Sequence, residues 1–145
     1  IIYKCTKIKS YFIKKDPFDI NMRKILNFGH TIGHAIESAN VDNPKFTHGI
    51  SVIIGIICET YITNKLFHLK DEIFIEIYKT LLSNFSLPKL NNKNKILSYL
   101  LSDKKKENGK LKITSISEIG SPIYDICVSK KQVKESLNYF NSINE

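Results

Sequence analysis

Absences set the first limits on this chain. It has only three cysteines in 145 residues, Cys5, Cys58 and Cys127. They are widely spaced and odd in number, which excludes a disulfide framework and a CxxC metal pair. The pattern predicts three buried, reduced thiols in a cytoplasmic protein. Arginine is almost missing: Arg23 is the only one among 22 basic residues. The lysines are spread along the whole chain, so the net charge of +8 marks no single patch. Nucleic-acid surfaces cluster Arg and Lys with aromatic or glycine residues between them. That clustering is absent, so no nucleic-acid partner is expected, whereas small anionic substrates suit the charge. The longest apolar run, Ile50 to Cys58, is too short to cross a bilayer, and no membrane association is expected. The first ten residues carry three lysines and no small-residue cleavage site, so they do not form a signal peptide. There is no GxGxxG or GGG loop to cradle a dinucleotide, no HExxH, and no internal repeat.

What is present suits one globular domain over residues 1–145. Hydrophobic residues make up 42%, enough for a real core. Ile1, Cys5, Ile8 and Phe12 recur with a helical period, and Pro17 ends that segment. Met22 to Asn40 continues as a helix with Ile25, Phe28, Ile32, Ala35 and Ile36 on its inner side. "NVDNPKFTHG" is a loop, and Ser51 to Leu66, apolar nearly all round, is a buried helix. Helices are also expected over Asp71 to Phe85 and Asn94 to Leu101. A lysine-rich turn and a strand pair follow, and a last helix runs from Lys130 to Asn141, capped by Ser129. The sum is a mostly α, multi-helical domain with a small β element near residues 110–127.

The polar residues that carry chemistry gather in "RKILNFGHTIGHA". His30 and His34 stand at i and i+4, one helical turn apart. Neutral imidazoles at that spacing can share a metal, or they can be satisfied surface or core groups. His48, in "FTHG" at the start of the next helix, offers a third ring, whereas His68 has no such company and belongs to the surface. Arg23 and Asn27 extend the stripe on the same helical face. Arg can grip a carboxylate or phosphate with two parallel hydrogen bonds, and Asn both donates and accepts. Gly29 and Gly33 each cost about 1 kcal/mol inside a helix relative to alanine, so something must approach the backbone there, and a ligand is the expected visitor. The stripe suits a metal-bearing pocket for an oxygen-rich anion.

"LNFGHTIGHAIE", followed by "THG" and an apolar helix, resembles the C-terminal domain of the 3-dehydroquinate synthases. "KCTKIKSYFIKKD" resembles the helix that precedes that motif in the family, and "SDKKKENGKLKITSISEIG" resembles a later family segment. The resemblance implies that His30 and His48 are metal ligands for zinc or cobalt, and that His34 contacts the substrate phosphate instead. It assigns Lys9, Arg23, Asn27 and either Lys104 or Lys105 to the substrate, an anionic sugar phosphate. It implies the conversion of 3-deoxy-arabino-heptulosonate 7-phosphate to 3-dehydroquinate and phosphate, in the shikimate route to aromatic amino acids. NAD would be bound mainly by an N-terminal domain, and the enzyme would be a homodimer. The family's third metal ligand, a glutamate in an upstream "AEVIK" segment, does not occur in these residues. The chain also opens on Ile1 in a helical pattern, so the expectation is a fragment of a two-domain enzyme, inactive alone. Ile50 stands where the family has an acid, which puts an outer contact to the metal-bound histidine in doubt. Two other readings stay open. One is a related sugar-phosphate cyclase or metal-dependent alcohol dehydrogenase; the other is a degenerate, non-catalytic domain.

Overall fold

The computed structural model describes residues 1–67, 69–104 and 111–144. Its elements, in order, are α1 (Ile2–Lys15), a 3-10 turn (Met22–Asn27), α2 (His30–Ala39), α3 (His48–Phe67), α4 (Asp71–Asn84), α5 (Lys93–Lys104), β1 (Leu111–Glu118), β2 (Ser121–Val128) and α6 (Lys130–Ile143). The two strands form an antiparallel hairpin that turns at Gly120, whose φ of +85° is open to glycine at no steric cost. Leu111 faces Val128 and Ile113 faces Ile126 across the ladder, which loses register beyond Ile113.

α3 is the central element. It packs against α2, α4, α6 and β1. Ile54, Ile57, Cys58 and Ile62 are fully enclosed, and Val133, Leu137 and Phe140 of α6 pack into the same core cluster. α6 starts where expected. The Ser129 hydroxyl accepts from the Gln132 N–H, and the Gln132 side chain accepts from the Ser129 N–H, a reciprocal cap. By length and composition α3 could cross a bilayer, but most of it is buried in the fold. The buried polar residues Glu59, Thr60, Thr63 and Asn64 belong to that packing.

Three sequence expectations need correction. The helix over Met22 to Asn40 is not continuous. It is a 3-10 turn that ends at Asn27, then Gly29 in the left-handed region (φ +76°), then α2. Only one thiol is buried. Cys58 lies in the core, where burial pushes its thiol up to about 12, while Cys5 and Cys127 are exposed. Cys5 sits on a helix that covers nothing, and Cys127 alternates outward between the buried Ile126 and Val128. Third, the apolar period of α1 does not face the core. No residue of α1 is buried, and Ile2, Tyr3 and Ile8 are exposed.

α2 and α3 touch backbone to backbone. A Cβ on Gly55 would run into the Gly29 carbonyl, and one on Gly33 would lie 2.9 Å from the Val52 Cα. A Cβ on Gly29 would lie 2.5 Å from Ile56 Cγ1. The visitor that the glycines admit is therefore helix α3, not a ligand. Glu59, the one acid in α3, locks the crossing. Its Oε2 accepts from the Gly29 N–H at 2.7 Å and its Oε1 from the Ile32 N–H at 3.1 Å. It thus caps the first turn of α2 from a neighbouring helix. Burial pushes its carboxyl up to about 8, against the pull of the Ile32, Gly29 and Thr31 N–H groups.

Two predictions follow from this crossing. Gly55→Ala should lower stability by about 3 kcal/mol or more by prising the helices apart. Gly49→Ala meets nothing within 4 Å and should be neutral or stabilising by up to about 1 kcal/mol. Urea unfolding of both variants tests the pair, and equal effects would refute the close contact. The second concerns pH. A carboxyl raised from 4.5 to about 8 on folding holds its proton longer in the folded state. Its stabilising contribution is complete below 4.5 and is lost as pH rises to about 8, at up to about 1.4 kcal/mol per pH unit. Glu59→Gln should flatten that part of the stability–pH curve; an unchanged slope counts against a protonated Glu59.

Candidate metal and anion site

The site is built at helix starts. His30 is the first residue of α2 and His48 the first of α3. The loop between the two helices is held by Phe46, which is buried, and the Thr47 carbonyl accepts from the Ser51 N–H at 2.9 Å. The crossing of α2 and α3 then brings His48 beside the first turn of α2. The ring centres of His30, His34 and His48 stand 5.3, 5.6 and 5.6 Å apart. One ring nitrogen from each lies within 4.8 Å of the other two.

Two of the rings are oriented from behind. His30 Nδ1 lies 3.0 Å from the Phe28 carbonyl oxygen, to which it donates in the tautomer that leaves Nε2 bare. His48 Nδ1 lies 3.1 Å from Glu37 Oε2. Glu37, one turn beyond His34 on α2, therefore supplies a carboxylate to His48 although position 50 is isoleucine. The donor set suits a borderline cation such as zinc or cobalt, which takes imidazole nitrogen readily.

A cleft of about 430 Å³ opens beside His30 and is lined by Lys9, Arg23, Asn27, Asp19 and Cys5, among others. It thus joins four of the residues singled out in the sequence. They reach it from three separate pieces of backbone, rather than from the single helical stripe the spacing suggested. The turn after α1 makes this possible. The Asp16 carboxylate accepts the N–H groups of Ile20, Asn21 and Arg23 at 2.8 to 3.1 Å. Burial works against its charge, but these N–H bonds prevail and hold the carboxyl below its ordinary range. The Arg23 guanidinium also donates to the Pro17 carbonyl at 3.2 Å.

A second cleft of about 400 Å³ lies across the 3-10 turn and shares Asp19 and Asn27 with the first. Here Asp125, at φ +58°, takes Lys24 at 2.7 Å and Lys112 at 3.4 Å, and the Lys24 bond foremost holds its carboxyl low. Lys104 closes α5, whereas Lys105 and His68 lie outside the described residues. Sequence reasoning misses Asp16, Glu37 and Glu59. Each had a signal: an acid before Pro17, an acid three residues after His34, and a lone acid in an apolar helix.

Comparison with known proteins agrees with this arrangement. The family model described as 3-dehydroquinate synthase C-terminal matches residues 1–106. The 3-dehydroquinate synthase of Pelagibacter ubique is 30% identical over 141 residues, 91% of this chain and 38% of that protein. That of Dictyoglomus thermophilum is 37% identical over 113 residues, 77% of this chain and 32% of that protein. This chain therefore spans less than two fifths of the length of these relatives. Among solved structures, a 2-deoxy-scyllo-inosose synthase complexed with carbaglucose-6-phosphate, NAD+ and Co2+ superposes with a TM-score of 0.78 at 26% identity, over 95% of this chain and 39% of that one. The 2-epi-5-epi-valiolone synthase of Streptomyces hygroscopicus, with NAD+ and Zn2+ bound, shares the fold at a TM-score of 0.74 and 16% identity, over 92% of this chain and 37% of that one. The histidine crossing and its adjoining cleft thus sit in a chain that belongs to the 3-dehydroquinate synthase C-terminal family.

Proposed function

We propose that this chain is the metal- and substrate-binding part of a 3-dehydroquinate synthase, acting on 3-deoxy-arabino-heptulosonate 7-phosphate. The observation that carries the reading is the cleft that joins Lys9, Arg23 and Asn27 to the edge of His30. The Arg23 guanidinium presents a planar fork to a carboxylate or phosphate. Lys9 adds a second positive charge from α1, and Asn27 can read a hydroxyl as donor or acceptor. His30 and His48 hold the metal in this reading, and the resemblance gives His34 to the phosphate. A bound zinc or cobalt ion would supply Lewis-acid polarisation of a substrate oxygen, and NAD the reversible hydride chemistry. The residues of this chain fix the two anionic ends of the sugar so that phosphate leaves from a held geometry. NAD binding falls to a segment outside these 145 residues, so the chain alone is proposed to be inactive.

A related cyclase is the second reading, favoured by the likeness to the 2-deoxy-scyllo-inosose synthase. One experiment addresses both. The chain replaces the corresponding C-terminal part of the Dictyoglomus thermophilum enzyme, and phosphate release is measured with NAD and zinc. The chimera should release phosphate from the heptulosonate phosphate, and the chain alone should not. Arg23→Lys should lower kcat/KM by about 10²-fold or more, because the two-bond grip is lost. A folded, zinc-loaded chimera that turns over only a hexose 6-phosphate would favour the second reading, and one inert toward both would count against each.

A further inference from the structure

We infer that His30, His34 and His48 form a three-histidine metal site contained within this chain, with His34 as third ligand and the fourth position open to an oxygen ligand. The inference rests on the metal part of the reading above and not on the substrate.

The spacing of the rings carries it. Tetrahedral zinc holds imidazole nitrogens at about 2.0–2.1 Å, and a ring centre lies about 1.1 Å beyond its nitrogen. Three such rings at tetrahedral angles have their centres about 5.2 Å apart. The observed triangle has sides of 5.3, 5.6 and 5.6 Å, nearly equilateral and only slightly open. His34 is as close to each of the other rings as they are to each other. In an occupied site the three nitrogens would stand about 3.4 Å apart. They now lie within 4.8 Å, so small side-chain rotations complete the site.

Preorganisation supports the same set. His30 and His34 share the first turns of α2, which is fixed against α3 through Gly29, Gly33 and Glu59. His30 and His48 have their Nδ1 atoms occupied by Phe28 and Glu37, which turns Nε2 of each toward the common centre. Three neutral imidazoles leave the full double charge on the ion, whereas a set with one carboxylate leaves a single net charge. The open position therefore favours an anionic oxygen, as a phosphate or alkoxide would provide. The ligand set excludes a magnesium or calcium site, since those ions take oxygen donors. A His34 that contacts only the substrate phosphate would leave metal affinity untouched when it is removed, which separates the two roles.

The test is a zinc titration of the purified chain by competition with a chelating dye. Visible absorption of the cobalt-loaded chain serves as a geometric readout, since four-coordinate cobalt absorbs far more strongly than the six-coordinate ion. His30→Ala, His34→Ala and His48→Ala are compared, with thermal melts to confirm folding. His34→Gln provides a second variant that keeps a polar group on that exposed face. Wild type should bind one zinc per chain with the strong cobalt bands. Each substitution should weaken binding by about 100-fold or more, beyond the effect of losing an outer hydrogen-bond partner, and bleach the bands. If both His34 variants keep wild-type affinity and bands while the His30 and His48 variants lose them, the inference is overturned and the two-histidine reading survives. If the wild-type chain binds no stoichiometric zinc, the inference fails together with the metal part of the proposed function. The cleft residues Lys9 and Arg23 are then the part left for the chimera to judge.

Discussion

The structure depends on the backbone contact between α2 and α3. Helices normally stand about 8–10 Å apart because a layer of side chains separates them. Here Gly29, Gly33 and Gly55 remove that layer, and Glu59 fills the remaining need by bonding the exposed N–H groups at the start of α2. A buried carboxyl without partners would be strongly destabilising, and buried N–H groups without an acceptor would be too. Each satisfies the other. The result fixes the distance between a histidine pair on one helix and a single histidine on the next. That distance is the property a metal site cannot do without.

A second arrangement brings the cleft to the rings. The Asp16 turn gathers three consecutive-strand N–H groups and reverses the chain, so that the 3-10 segment lies beside α1. Arg23 and Asn27 thereby face Lys9 instead of continuing along α2. On its far side the same segment is fastened to the hairpin. There Thr114 donates to the Lys24 carbonyl at 3.1 Å, and Asp125 holds Lys24. The exposed ion pair is worth at most about 1 kcal/mol, so this fastening relies on the backbone bond and packing as much as on charge.

Much of this was legible in the residues. The last helix could be placed because Ser129 and Gln132 form a local cap and Val133, Leu137 and Phe140 keep a strict period. The hairpin could be placed because alternation ends at Gly120. The break at Gly29 was hidden, because offsets of three and four continue through it whether the backbone is one helix or a turn and a helix. The glycines were visible as small residues, but a sequence does not say whether a ligand or a helix fills the space. Glu37 and Glu59 were hidden for another reason. Their partners are a side chain eleven residues on and a set of backbone N–H groups, and neither leaves a pattern in residue types. α1 misled by its period: an apolar stripe shows that a face can be covered, not that this domain covers it.

That exposed helix has a mechanical consequence. α1 carries Lys9, buries no side chain, and among the described residues packs chiefly on the 3-10 turn that Asp16 secures. Its stability is therefore nearly independent of the core, in the manner of a separately opening unit. Rotation about the Asp16 turn would widen or narrow the cleft without disturbing a single contact of α3. The rings are set in a rigid frame, while the opposite wall of the cleft is a lever on one hinge.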